Sequence, residues 1–314
     1  MRICSPTCGV RNDSNSGGEV LERETVRALP AAGILPHVLV RPAPWAWTLA
    51  PQIGRCGSLI RAHSARWLGP ACLRARRATG CPVVIHWQHI DRSCWNLLER
   101  WVLMRADLIV TISEFSKRQL VEDWHLLPTH IHVVQPGVGP EFFPADRLAV
   151  RPRILYLGGL KPRKNVGLLL EALPQVLAVV PEAELLLAGH GPDRDALMRR
   201  AHALNLDDHI IWVSHFSDRD RPWFYRTSRV FAFPSLLEGC GMPVLEARAS
   251  GLPIVASNRG ALPELVPDAV EPTPEMFAER LIAHLRHPTP AAPFKRSWDE
   301  MGRELATLYR TLCA

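Results

Sequence analysis

The feature that most limits how this chain can fold is an alternation that occurs twice. Short runs rich in Val, Ile and Leu, each long enough for one strand, are separated by longer stretches with helical spacing. Such alternation specifies parallel strands with helices on both faces of the sheet, because consecutive parallel strands must be joined by a crossover. In the first series a strand leads to the Gly-containing loop Asn15-Ser16-Gly17-Gly18, then a helix over 19–29 and a strand over 34–40. Residues 41–80 are rich in Pro, Gly, Arg and Trp, and their spacing predicts only a helix around 59–66. Val83-Val84-Ile85 then reads as a strand ending at His86. A helix around 95–105 and a strand within 106–112 follow. Next come a helix over 114–122, with Ser113 as its N-cap, and a strand over 131–134.

The stretch 139–152 contains Pro140, Pro144 and Pro152 with little periodicity, and it reads as a linker. The second series has strands over 154–157, 183–188, 210–213, 230–233 and 254–256. Its helices fall over 165–180, 193–204, 221–226 and 243–249. A Pro-rich spacer, 287–293, precedes a final helix over 297–312 with an apolar stripe of Trp298, Met301, Leu305, Leu308 and Leu312. After such a spacer that helix must pack on something other than its neighbour in sequence. The expected division is therefore a first domain over 1–142, a second over 143–290 and a terminal helix over 291–314. In doubly wound sheets ligands bind beyond the carboxyl ends of the strands, so the site is expected in the cleft between the two domains.

Composition narrows the function classes. With 314 residues, 47% hydrophobic and 22% charged, a disordered or fibrous chain is excluded, and the length suits two domains. No run of 18 apolar residues occurs. The best candidate, 33–53, is interrupted by Pro36, His37, Arg41, Pro42, Pro44 and Pro51, which argues against a membrane span. The first residues lack the apolar core of a signal peptide, so a cytoplasmic protein is expected. Eight cysteines form no CxxC pair and no zinc-finger spacing, as suits free thiols in a reducing compartment. The net charge of +6 is carried by scattered arginines rather than one stripe. Nucleic acid is therefore not an expected partner, while peripheral contact with an anionic membrane stays open.

Two motifs carry chemistry. In FPSLLEGCGMPVLEA, over 233–247, a strand ends at Phe233 and a Gly-bearing loop precedes a helix with Pro243 in its first turn. Free N–H groups around Gly241 to Val244, with the helix dipole, suit a phosphate. Glu238 and Glu246 frame that loop. Carboxylates beside a phosphate suit hydrogen bonds from sugar hydroxyls better than contact with the anion itself. In GGLKPRKN, over 158–165, a glycine pair allows close ligand approach, and Arg163 and Lys164 offer charge-assisted bonds to a diphosphate.

Together with LLLAGHGP, ADLIVTISEFSK, HVVQPGV followed by EFFP, and GLPIVASNRGALPEL, these motifs resemble the family 4 glycosyltransferases, which are retaining enzymes. The resemblance runs from about residue 83 to 268. It implies the α/β GT-B fold: two Rossmann-like doubly wound domains facing a cleft, with the terminal helix crossing back to the first. It implies a hexosyl donor, a UDP- or GDP-sugar with mannosyl among the candidates, and a saccharide or lipid-linked acceptor. No cofactor and no metal are implied. By similarity Lys164 and Arg163 contact the diphosphate, and Gly17 and Gly18 approach it from the first domain. Glu238 binds sugar hydroxyls and Glu246 the ribose. The amides of Cys240, Gly241 and Met242 reach sugar or phosphate, and Gly189 and Gly191 line the nucleotide. His86 stands near the transferred sugar as a catalytic or positioning group, with His89 as a substitute and a purely structural role as the alternative.

The chain departs from the family pattern at Gly159, where many relatives have a second diphosphate-binding Arg, at Cys240 in place of an aromatic, and at Trp87 after His86. The first domain is also short. These departures motivate a second reading, a catalytically inactive GT-B protein that binds a nucleotide sugar or a partner enzyme. Ser113, Glu114 and Lys117 suit either an acceptor contact or, for Ser113, capping alone. Among the ten tryptophans, Trp101 and Trp212 fit core positions and Trp87 fits a cleft mouth.

Overall fold

Short, wholly apolar strands need cover on both faces, and the chain supplies it in two sheets. The computed structural model describes residues 1–7, 17–40, 48–53, 57–88, 96–144 and 151–314. Asn15, Ser16, His89 and parts of the stretches 41–80 and 139–152 lie outside these residues. The chain divides into one unit of Met1–Gly137 with Arg296–Ala314 and a second of Val138–Lys295.

The first unit holds six parallel strands in the order β2-β1-β3-β4-β5-β6. They are β1 (Arg2–Thr7), β2 (Leu35–Val40), β3 (Ile60–Ala62), β4 (Val83–His86), β5 (Leu108–Thr111) and β6 (Ile131–Val133). The register of β1 on β2 runs from Arg2↔Leu35 to Thr7↔Val40. The central strands β3, β4 and β5 are buried throughout, as a parallel sheet covered on both faces requires. The helices are α1 (Gly17–Ala28), α2 (Ala65–Thr79), α3 (Asn96–Leu103) and α4 (Glu114–Glu122). Ser113 caps α4, its hydroxyl accepting from the Ser116 amide at 3.1 Å.

The helix expected around 59–66 is not there. Residues 60–62 form β3 in the middle of the sheet, and α2 begins only after Ser64, its N-cap. The reason is Arg61. A charged residue inside a three-residue strand breaks any apolar pattern, and it is tolerated because its guanidinium meets the Glu22 carboxylate at 2.8 and 2.6 Å. Two tryptophan expectations also reverse. Trp87 is buried, edge-on to Trp124 with ring centroids 5.6 Å apart, whereas Trp101 is 40% exposed.

The second unit holds five parallel strands in the order β11-β10-β7-β8-β9. These are β7 (Arg153–Leu157), β8 (Glu184–Ala188), β9 (Ile210–Val213), β10 (Val230–Phe233) and β11 (Ile254–Ala256). Helices α5 (Gly167–Leu177), α6 (Arg194–Ala203), α7 (Arg221–Arg226) and α8 (Met242–Ala249) alternate with them. Two helices that the spacing left unassigned, α9 (Leu262–Leu265) and α10 (Pro274–Arg286), follow. The start of the expected linker docks firmly on this unit. Phe142 meets Tyr225 edge-on, the Arg226 guanidinium lies over Phe143, and Pro144 packs beneath Gly251.

The last helix, α11 (Trp298–Cys313), starts with a capping box of Ser297 and Glu300 and belongs to the first unit. It lies on α1, so it does pack away from its sequence neighbour. Its buried face is Met301, Gly302, Leu305, Ala306 and Tyr309, while Trp298, Leu308 and Leu312 are only half-buried. The expected stripe was therefore rotated: small Gly302 and Ala306 permit the close helix approach, and the polar tip of Tyr309 goes inside. A Cβ on Gly302 would lie 2.8 Å from the Ala28 carbonyl oxygen. Gly302→Val should therefore lower unfolding stability by about 1–3 kcal/mol. Denaturant unfolding of the full chain checks this; an unchanged midpoint and slope would show that α11 does not pack as described.

Candidate functional site

Because all five strands of the second sheet run the same way, the segments following β7, β8, β10 and β11 emerge at one edge. Backbone bonds tie them together. Gly158 N donates to Ala188 O, Leu160 N to His190 O, Leu236 N to Arg163 O, Ser257 N to Phe233 O and Ala261 N to Glu238 O. Close approach makes glycine necessary at 189 and 191: a Cβ on Gly189 would fall 1.8 Å from Gly158 O, and one on Gly191 2.1 Å from Leu160 O. Gly189 and Gly191 thus set the spacing between the loops after β7 and β8.

Lys164 and Glu238 meet at this edge. Both are buried, and the Lys164 ammonium is ion-paired to Glu238 Oε1. Ser235 Oγ donates to the same oxygen at 2.7 Å. The ammonium also lies 4.9 Å from the centre of the Phe233 ring. Burial depresses the Lys164 pKa and the Glu238 carboxylate opposes that shift, so the pair keeps a cation in a dry place. Arg163, with 51% of its side chain exposed, donates to Leu237 O at 2.9 Å and stands 3.6 Å from Glu238 Oε1. The two cations expected to act together are therefore brought to one carboxylate.

Gly241 is the left-handed N-cap of α8, and Pro243 falls in its first turn. The Val244 amide donates to Gly241 O at 2.8 Å, so it is not among the free donors expected there. Among the described residues the amides of Cys240, Gly241 and Met242 have no backbone acceptor. Cys240 is buried, and burial pushes its thiol up to about 12, which keeps it protonated near neutral pH.

Glu246 lies on α8, fully buried. Arg221 Nη2 reaches both of its oxygens at 2.6 Å, and the Tyr225 hydroxyl donates to Oε2 at 2.8 Å. Burial raises the Glu246 pKa, and Arg221 and Tyr225 counter it. Sequence reasoning missed this pair of partners, although Arg221 and Tyr225 stand four apart on α7 and so share a face. It also missed Ser235, and Gly260, whose φ of +61° and absent Cβ let the segment after β11 press on the Glu238 backbone.

The remaining expected residues lie in the first unit. Gly17 and Gly18 open α1. His86 ends β4 and is 3% exposed, with Nε2 2.7 Å from the Tyr309 hydroxyl. Burial first, then Arg61 and His63, hold its pKa well below the usual 6.5, so the ring is neutral. Among the described residues no group of three or more His, Cys, Asp or Glu is placed to hold a metal ion, and no helix is long and apolar enough to cross a membrane.

Two parallel α/β units, one with cations and free amides at its carboxyl edge, define a chain of the GT-B class. Solved structures share that fold. The Anabaena protein HepE, crystallised with UDP and glucose, matches with a TM-score of 0.78 at 16% identity, over 100% of this chain and 97% of its own. Sucrose-phosphate synthase from Thermosynechococcus elongatus matches with a TM-score of 0.76 at 18% identity, over 100% and 96%. The family model described as glycosyl transferases group 1 matches residues 142–304, and that of glycosyltransferase family 4 matches residues 15–142. The chain belongs to this family of group 1, family 4 glycosyltransferases. Among curated relatives, the Escherichia coli O-antigen chain mannosyltransferase B is 29% identical over 64% of this chain and 54% of its own length. A Mycobacterium tuberculosis GDP-mannose-dependent alpha-(1-6)-phosphatidylinositol monomannoside mannosyltransferase is 30% identical over 68% and 63%. The chain thus spans between about half and two thirds of these relatives' length.

His86 gives a pH signature. Its folded pKa lies below its unfolded value, so the unfolded chain binds a proton that the native chain refuses as pH falls below 6.5. Stability should fall there by up to about 1.4 kcal/mol per pH unit more in the wild type than in His86→Gln. Urea unfolding at several pH values reads the difference; parallel curves for the two proteins would mean that His86 is not held neutral.

Proposed function

We propose that this chain transfers a hexosyl group from a nucleotide-diphosphate sugar to a saccharide or lipid-linked acceptor, with retention and without a metal. The observation that carries the reading is the buried Lys164–Glu238 pair, set with Ser235, Arg163 and the amides of Cys240, Gly241 and Met242 at one edge of the second sheet. An arriving diphosphate offers the Lys164 ammonium an acceptor of higher charge than Glu238. Lys164 and Arg163 then stabilise the leaving diphosphate as negative charge develops on it. Glu238, relieved of Lys164, accepts hydrogen bonds from sugar hydroxyls. Glu246 retains lone pairs for the ribose hydroxyls, and Arg221 and Tyr225 hold it in place.

Retention follows from attack on the same face. The acceptor oxygen bonds to the anomeric carbon as the bond from that carbon to the diphosphate oxygen breaks, and the acceptor proton passes to the departing phosphate. The two carboxylates assigned to the donor, Glu238 and Glu246, are both engaged by cations, so neither is set apart as a nucleophile. The metal-independent reading rests on Lys164 and Arg163 supplying the positive charge. A mannosyl donor is favoured because the two curated relatives described above are named for mannosyl transfer.

Two observations favour the second reading, a donor-binding protein without transfer activity. Gly159 supplies no second diphosphate cation, and both Glu246 oxygens are already engaged. A panel of UDP- and GDP-sugars separates the two readings: transfer or donor hydrolysis is expected, and binding without turnover would support the inactive protein. Lys164→Ala should weaken nucleotide-sugar binding about 10- to 100-fold, the worth of a charge-assisted bond. Glu238→Ala should abolish transfer. Unchanged affinity in the first variant, measured by calorimetry on folded protein, would remove Lys164 from the donor site.

A further inference from the structure

The first unit carries a surface that the reading above leaves unused. Leu97 and Trp101 of α3, with Met104 just after it, stand at i, i+4 and i+7, the spacing of one helical face. Large apolar residues so spaced usually line a core, yet these are 81%, 40% and 53% exposed. The face of α3 that is turned inward carries Val102 and Leu103 instead, both buried.

Helix α2 lies beside this ridge. It joins β3 to β4, and α3 joins β4 to β5, so crossovers of one hand put both helices on the same face of the sheet. Gly69 of α2 backs directly onto α3, since a Cβ there would fall 2.3 Å from Val102 Cγ1. Further along, Arg76 Nη1 donates to Arg105 O at 2.6 Å, and the Arg105 guanidinium lies 4.6 Å from the centre of the Trp101 ring. Arg74 and Arg77 of α2 are exposed, and that helix contains no acidic residue. Glu99 is the one acidic residue of α3, and Asp107, shortly after it, is ion-paired with Arg76 at 2.6 Å. An apolar ridge is thus flanked by a basic one.

The charge of the whole chain agrees. Of its 37 basic and 31 acidic residues, the first unit holds 19 and 13 and the second holds 18 of each, so the entire excess of +6 belongs to the first unit. Arginines that look scattered along the sequence are therefore concentrated on the unit that bears the exposed ridge.

We propose that the exposed face of α2 and α3 docks on an anionic lipid bilayer, with Leu97, Trp101 and Met104 entering the boundary between headgroups and acyl chains and Arg74, Arg77 and Arg105 meeting lipid phosphates. An indole suits that boundary because its ring is apolar and its N–H is polar. Basic side chains beside the ridge add attraction to anionic headgroups. A second copy of the chain is the poorer occupant, because it would oppose one basic unit to another. Docking is separable from sugar transfer: a chain that transfers sugar without binding vesicles refutes the docking alone.

The test is co-sedimentation of the full chain with vesicles of phosphatidylcholine alone and of an equimolar mixture of phosphatidylcholine and phosphatidylglycerol. Binding to the mixed vesicles is expected, weakening as salt is raised, with binding to phosphatidylcholine alone weaker by about tenfold or more. Arg74→Glu with Arg77→Glu should lower partitioning onto the mixed vesicles by about 25-fold or more, about fivefold for each basic side chain lost from an anionic surface. Leu97→Ala with Trp101→Ala should lower it by about tenfold or more, as apolar area is lost from the contact. All four side chains are exposed, so the variants keep the fold. Arg199→Glu with Arg200→Glu, on α6 of the second unit, makes the same change in net charge and should leave binding unchanged. No binding to the mixed vesicles, equal binding to both kinds, or an equal loss from the α6 pair overturns the proposal. So does wild-type binding by the α3 pair, or a solution dimer that the α3 pair dissociates while the wild type ignores lipid.

Discussion

A lysine ammonium and a glutamate carboxylate withdrawn from water together hold the carboxyl edge of the second sheet in its shape. Lys164 comes from the segment after β7 and Glu238 from the one after β10, and neither can be buried without the other. Removing one partner of such a pair costs about 3–5 kcal/mol, because the remaining charge is left without compensation. The neighbouring backbone is arranged to keep them facing. Leu236 N binds Arg163 O, Ser235 Oγ holds Glu238, and Gly260 lets the segment after β11 lie against it. An ion pair of this kind is weak as a source of stability. In the proposed reaction its worth is readiness: a diphosphate would draw the ammonium across, and the released carboxylate would already be placed for hydroxyl groups.

The same device recurs. Arg221–Glu246 in the second unit and Arg61–Glu22 in the first are also buried arginine or lysine pairs with a glutamate, and each carries a tyrosine at its side. Tyr225 fixes one carboxylate oxygen of Glu246. Tyr309 lies beside the Arg61–Glu22 pair, its hydroxyl 2.7 Å from His86 Nε2.

Much of this could be read from residue order. Parallel strands are short and apolar, so β4, β5 and β7 to β11 were visible as such, and Ser113 marked a helix start by its capping chemistry. Lys164 and Glu238 stood out because their motifs sit in loops at strand ends, whereas Gly189 and Gly191 came only from the family resemblance. What failed to show was polar burial. Arg61 disguised β3 because its partner, Glu22, lies 39 residues away. Arg221 and Tyr225 drew no notice within the helix over 221–226, and Tyr309 was left out of the apolar stripe because a phenol is less apolar than leucine. Trp87 and Trp101 were exchanged for a related reason: side-chain size says that an aromatic should be covered, but not by what.

The proposed reaction geometry hinges on Lys164 leaving Glu238 when the donor binds. A crystal structure of the full chain with an intact UDP- or GDP-sugar measures this directly. The account predicts the Lys164 ammonium within hydrogen-bond distance of a diphosphate oxygen and a sugar hydroxyl on the Glu238 carboxylate. A bound donor whose diphosphate lies elsewhere, with the Lys164–Glu238 pair still closed, would contradict it.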